Sequence, residues 1–270
     1  MGCQIGAYVC WREREMRVVL IVLVGVCICL AAGCENPLEI DRETEIEIGR
    51  QGGADVEKQY GVVKDPVMQQ RLDAIGERVA AVSEEPDLPW RFRILDSEEV
   101  NALALPGGFV YVMRGMMEYV KNDDQLAGVV AHEVVHADHH HAKTVIERSM
   151  TQALLAELIL QKSSDSVRQA AGIALDLEMR QGYREKEYEA DEFGTKYAFQ
   201  AGYRAAGLRD LLSYLHEKEG DPARITWLLQ SHPPLSKRIE RLDEYVSRLT
   251  GKTIAQRGAG SASAERELGE

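Results

Sequence analysis

Residues 132–136 read His-Glu-Val-Val-His, and no other feature constrains this chain as tightly. The preceding Asn122-Asp123-Asp124-Gln125 has Asn and Gln spaced like a helix-capping box. Leu126, Val129 and Val130 then give the segment the pattern of a half-buried helix. On a helix, residues four apart are offset by about 40° and one turn, so His132 and His136 aim their imidazoles at one point. That spacing suits two ligands of a tetrahedral Zn²⁺. The Glu133 carboxylate lies beside them, close enough to move protons at such a centre without ligating the metal.

Zinc needs a third protein ligand and one open position. His139, His140 and His141 follow too closely on the same predicted helix to complete a tetrahedron, and they read as a polar helix end. The better source is Glu185-Lys186-Glu187-Tyr188-Glu189-Ala190-Asp191, where Glu187 and Asp191 share one helical face. One carboxylate on the metal and another on an imidazole N–H is a common arrangement. Spacing alone does not separate that reading from a solvated Glu/Lys face.

The rest of the chain bounds the answer. Its 270 residues, 45% hydrophobic and 28% charged, suffice for one large domain with a real core. A net charge of −12 argues against nucleic-acid partners, whose phosphates need clustered Lys and Arg. All five cysteines lie within the first 34 residues, so the remainder can hold neither a disulfide nor a Cys-ligated metal. Arg12, Arg14 and Arg17 precede the uncharged stretch Val18–Gly33, which is shorter than the roughly 20 residues a membrane span needs. Leu30-Ala31-Ala32-Gly33-Cys34 resembles a bacterial lipobox, so residues 1–33 read as a lipoprotein signal peptide and Cys34 as the lipidated residue. Met16 is a second candidate start. Glu35 after the Cys points to an outer-membrane lipoprotein facing the periplasm.

Periodicity predicts a helical lead-in over residues 36–60 broken at Gly52-Gly53, and a helix from Asp65-Pro66 with the stripe Met68, Leu72, Ile75, Val79, Val82. Trp90–Leu95 reads as a strand, and Asn101–Val112 as a hairpin turning at Pro106-Gly107-Gly108. Helices follow over 144–161, over 166–181 as far as Gly182, over 184–200 and over 205–218. The last stripe is Leu235, Ile239, Leu242, Val246, Leu249. The fold class is therefore α+β, a mostly helical domain over 34–250 with a small β-sheet beside the His-Glu-Val-Val-His helix. The tail 251–270, rich in Gly, Ala and Ser, reads as disordered.

Four runs in order, Asn-Ala-Leu-Ala-Leu-Pro-Gly-Gly at 101–108, His-Glu-Val-Val-His at 132–136, Glu-Tyr-Glu-Ala-Asp at 187–191 and Ser-His-Pro-Pro-Leu-Ser-Lys-Arg-Ile at 231–239, carry a resemblance. Over roughly residues 40–250 the chain resembles the HtpX-like zinc metallopeptidases, gluzincins that include the CAAX prenyl endopeptidases, and within them the soluble lipoprotein branch. The resemblance implies a zinc-dependent endopeptidase with one Zn²⁺ per chain on His132, His136 and Glu187. It makes Asp191 the acid that braces the helix and His141 a non-ligand. It departs at Val135, where the family often has Gly, on the helix face away from the metal. Glu133 is then the general base, and peptide binds as an added strand near Asn101–Val112. His232, stiffened by Pro233 and Pro234, reads either as an oxyanion donor or as a displaceable fourth ligand. Expected partners are unfolded or misassembled envelope proteins as substrates, and the membrane through lipid on Cys34. The alternative is a periplasmic chaperone for outer-membrane proteins with weak or latent proteolysis.

Overall fold

A computed structural model of the chain describes residues 39–160, 165–217 and 234–251. In chain order these form α1 Arg42–Tyr60, α2 Pro66–Ala80, β1 Arg91–Leu95, β2 Ala102–Leu105, β3 Phe109–Met113, α3 Arg114–Tyr119, α4 Asp123–Asp138, α5 His141–Leu160, α6 Asp165–Gln200, α7 Gly207–Glu217 and α8 Leu235–Thr250. The expected α+β class is what the molecule has. The segments 231–233 and 252–270, including His232, lie outside the described residues, as do 1–38.

Local chemistry sets several boundaries. The Asp65 carboxylate accepts from the N–H groups of Val67 and Met68, and Pro66 opens α2 where no N–H is needed. Asn122 accepts from the Gln125 N–H, while the Gln125 side chain turns to the Lys121 N–H rather than to Asn122. At the hairpin, Gly107 and Gly108 take φ of 73° and 95°, a region side chains with a Cβ avoid.

The sheet runs β1-β3-β2, with β3 parallel to β1 and antiparallel to β2. Strand β2 is therefore an edge. Beneath the sheet lies the main core, where Leu72 and Val79 of α2, Ile94, Val110 and Val112 of the sheet, Leu126, Val130 and Val134 of α4, and Leu211 and Leu215 of α7 pack together. Helix α4 runs through the middle. Between Gln125 and Asp138 only His136 is not fully buried. Two glycines let neighbouring helices close on it. A Cβ at Gly128 would sit 2.6 Å from the Leu208 nitrogen, and one at Gly194 of α6 would sit 2.8 Å from the His132 nitrogen.

Three boundaries depart from expectation. Helix α1 continues through Gly52-Gly53. A Cβ at Gly53 would strike the Tyr111 hydroxyl, and one at nearby Gly49 the Pro106 carbonyl, so these glycines permit close approach to the hairpin instead of ending the helix. Helix α6 is continuous through Gly182, since one glycine costs only about 1 kcal/mol against Ala in a long helix. Helix α4 stops at Asp138, and His140 takes φ of 51°, so His141 begins a new helix instead of ending the old one.

Candidate metal centre

Helices α4 and α6 cross where Gly194 meets the backbone at Ala131–His132, with Ala190 fully buried one turn earlier on α6. The crossing brings the Glu187 carboxylate over the two imidazoles. The Nε2 atoms of His132 and His136 are 3.2 Å apart. Glu187 Oε2 lies 3.5 Å from His132 Nε2, and Oε1 lies 3.4 Å from His136 Nε2. Ligands at zinc bond lengths of about 2.0–2.1 Å in a tetrahedron stand about 3.3–3.4 Å from one another. The three side chains thus form the base of a site that can hold one such ion.

The far side of His132 is braced. Its Nδ1 lies 3.1 Å from Asp191 Oδ1. Asp191 accepts two hydrogen bonds from the Arg238 guanidinium of α8, Nε to Oδ2 at 2.8 Å and Nη2 to Oδ1 at 2.6 Å. Arg238 is only 2% exposed. Sequence reasoning missed its role, although a signal was available. Arg238 lies three residues after Leu235 and four before Leu242, on the stripe of α8 that faces the core.

The electrostatics of these side chains also suit a cation. Glu133, Glu187 and Asp191 are buried together against Arg238 and His132. Burial alone would keep His132 neutral, but hydrogen bonds to Asp191 and Glu187 overcome it and push the imidazole up to about 9. A proton there supplies positive charge that the surrounding carboxylates demand. Burial likewise pushes Glu133 up to about 7, the charges of His132 and Arg238 and the Ala104 N–H of β2 pulling the other way. Burial opposes ionisation of Asp191 too, yet the Arg238 charge and hydrogen bonds hold it below the usual carboxylate range. Two imidazoles, a carboxylate and surplus buried negative charge fit Zn²⁺.

In front of this centre opens a cleft of about 610 Å³. The β2 edge forms one wall through Ala102, Leu103 and Ala104, and Val145 and Ile146 of α5 with Tyr183 of α6 form another. Glu133, His136 and Glu187 lie on its floor. The three histidines 139–141 part company at the α4–α5 bend. His139 Nδ1 pairs with Glu189 at 2.6 Å, His140 Nδ1 with the buried Glu45 at 2.9 Å, and His141 Nδ1 turns back to His136 Nδ1 at 3.0 Å. Of the anticipated site residues, His132, Glu133, His136, Glu187 and Asp191 come together here.

Residues 66–246 match the model of Peptidase family M48. The chain belongs to Peptidase family M48. The M48 match starts at the first residue of α2 and ends at Val246, the last buried residue of the α8 stripe, so it encloses every residue of the centre. The chain is similar to the putative beta-barrel assembly-enhancing protease of Vibrio cholerae, 27% identical over 251 residues, with 82% of this chain and 52% of that one covered. It is similar to the mitochondrial metalloendopeptidase OMA1 of Schizosaccharomyces pombe, 30% identical over 172 residues, with 63% and 50% covered. It is also similar to the metalloprotease YcaL of Escherichia coli, 23% identical over 263 residues, with 84% and 97% covered. The chain spans about half the length of the first two relatives and nearly all of the third.

Proposed function

We propose that this M48 chain is a zinc-dependent endopeptidase acting on extended segments of cell-envelope proteins. The observation that carries the reading is the convergence of His132 Nε2, His136 Nε2 and the Glu187 carboxylate at mutual distances of 3.2–3.5 Å on the floor of an open cleft. These three side chains would hold the metal. Bound zinc supplies a Lewis acid that polarises a scissile carbonyl and acidifies water.

The protein's own groups do the rest. Glu133, next to the ligands but not one of them, takes a proton from the attacking water and returns it to the leaving amine. Its raised affinity for protons suits both halves of that exchange. Asp191, kept ionised by Arg238, orients His132 so that Nε2 faces the centre. Among the described residues β2 pairs with no strand but β3, and its outer edge offers backbone groups to an extended peptide, which lies as an added strand across the Glu133 carboxylate.

Within the family, the runs at 101–108, 132–136, 187–191 and 231–239 support a reading close to the HtpX-like members, and the lipobox-like Leu30–Cys34 supports a lipid anchor on Cys34 after removal of residues 1–33. Among the described residues no helix is long and apolar enough to cross a membrane. We place it in the bacterial envelope, at the outer membrane facing the periplasm, where its substrates are unfolded or misassembled envelope proteins. The name of the Vibrio cholerae relative joins assembly to proteolysis, which favours one second reading, an assembly factor that binds such proteins and rarely cuts.

Unfolded casein separates the two. Purified protein should cleave it, stop on chelation and resume on adding zinc. Glu133→Gln should keep stoichiometric zinc while activity falls by roughly 10²–10⁴-fold, as for loss of a general base. Zinc-loaded protein that leaves casein intact would favour the assembly factor. Near-wild-type turnover by a zinc-loaded Glu133→Gln protein would exclude this mechanism.

A further inference from the structure

The two imidazoles of the centre are held from behind in different ways. His132 turns Nδ1 to a carboxylate, Asp191 at 3.1 Å. His136 turns Nδ1 to the Nδ1 of a second imidazole, His141, at 3.0 Å, the rings meeting edge to face with centroids 4.9 Å apart. The Nε2 of His141 lies 3.6 Å from Glu189 Oε2, and the other oxygen of Glu189 holds His139 Nδ1 at 2.6 Å. His141 is itself well anchored. It is buried at the first residue of α5, directly after the left-handed His140, and its carbonyl accepts from Lys186 Nζ at 2.8 Å.

Two imidazole nitrogens at hydrogen-bond distance need one proton between them. When His136 presents Nε2 to a cation, its own proton sits on Nδ1, so that nitrogen donates and His141 Nδ1 accepts. His141 then carries its proton on Nε2, the nitrogen that faces Glu189. We propose that His141 is a positioning residue of the metal centre, which accepts the His136 Nδ1–H, while the Glu189 carboxylate, 3.6 Å from His141 Nε2, favours a proton on that nitrogen through its charge. The inference rests on the metal assignment proposed above. His139, His141 and Glu189 also stand close enough to surround an ion of their own. A cation there would take the His141 nitrogen that must carry the proton, so the brace and a second ion exclude one another.

The test compares His141→Asn with His141→Phe, reading zinc affinity by chelator competition. Asn places its Oδ1 near the position of Nδ1 and keeps an acceptor while losing the ring. Phe keeps the ring volume and has no acceptor. The brace predicts that Phe weakens zinc binding by about 10–100-fold and that Asn retains most of it. A space-filling role predicts the reverse order, and that result would overturn the inference, as would wild-type affinity in His141→Phe. Should either variant fold poorly, ¹⁵N NMR of zinc-loaded wild-type protein decides independently. His141 should carry its proton on Nε2 and none on Nδ1, and the opposite tautomer would overturn the brace. Wild-type protein that binds no zinc refutes the metal assignment and the brace with it. Zinc bound by the wild type with Phe equal to or better than Asn refutes the brace alone.

Discussion

Arg238 is the residue on which the electrostatics of the centre turn. It is buried, always charged and bidentate on Asp191, and it keeps that carboxylate anionic where burial alone would protonate it. Replacing it with Met should strip buried Asp191 of its guanidinium partner, leaving only the His132 imidazole beside it. The expected cost is about 3–5 kcal/mol, as for removing one partner of a buried pair, read by urea unfolding of metal-free protein. Zinc affinity should fall as well, by about 10–100-fold, because a protonated Asp191 no longer accepts from His132. In the double variant Arg238→Met with Asp191→Asn, much of the stability should return while zinc affinity stays low. Recovery of both would mean that Arg238 acts on the fold alone.

Among the elements, the α4–α6 crossing decides whether the proposed metal centre can form. Glu187 reaches the imidazoles only because α6 lies against α4 backbone to backbone at Gly194. A methyl group there would meet the His132 nitrogen at 2.8 Å and the Ala131 carbonyl carbon at 3.0 Å, main-chain atoms that cannot swing aside. Gly194→Ala should therefore cost about 1–3 kcal/mol through overpacking and weaken zinc binding by lifting Glu187 from its place. Gly52 on α1 is the control. Its nearest neighbour would be Leu105 Cδ1 at 3.5 Å, an ordinary contact. Gly52→Ala should stabilise the protein by about 0.5–1 kcal/mol, as expected for Gly to Ala inside a helix, with zinc affinity unchanged. Thermal melts and chelator competition on the pair read both effects, and equal behaviour of the two variants would contradict this account of the crossing.

For the whole molecule, a metal held as proposed would join two helices whose ligands lie some fifty residues apart in the chain, so its binding should appear as stability. At free zinc about 1,000 times Kd, linkage adds about 4.1 kcal/mol. For a domain of this size each kcal/mol moves Tm by about 2–4 °C, so zinc-loaded protein should melt about 8–16 °C above chelator-treated protein. Glu133→Gln should keep that shift and Glu187→Ala should lose most of it. An equal loss in both would make Glu133 a ligand and contradict its assignment as base.

What could be read along the chain was what depends on near neighbours. The one-turn offset of His132 and His136, the cap at Asp65, the hairpin turn at Pro106-Gly107-Gly108 and the apolar stripes of α2 and α8 all follow from helical or strand periodicity and from side chains bonding their own backbone. Spacing also put Glu187 and Asp191 on one face of a helix, but it could not say which would meet the Nε2 side of His132 and which its Nδ1 side. That division depends on how α6 crosses α4, and on Arg238 arriving from α8 to claim Asp191. Glycines misled for the same reason. At Gly53 and Gly182 a local rule reads a break, whereas in the folded protein both helices run on, and at Gly53 the missing Cβ makes room for Tyr111. The left-handed turn at His140, which swings His141 back onto His136, and the parallel pairing of β1 with β3 were likewise invisible. Each is set by contacts between residues distant in sequence or by a backbone angle that no residue type at that position demands, and only the closed tertiary structure supplies them.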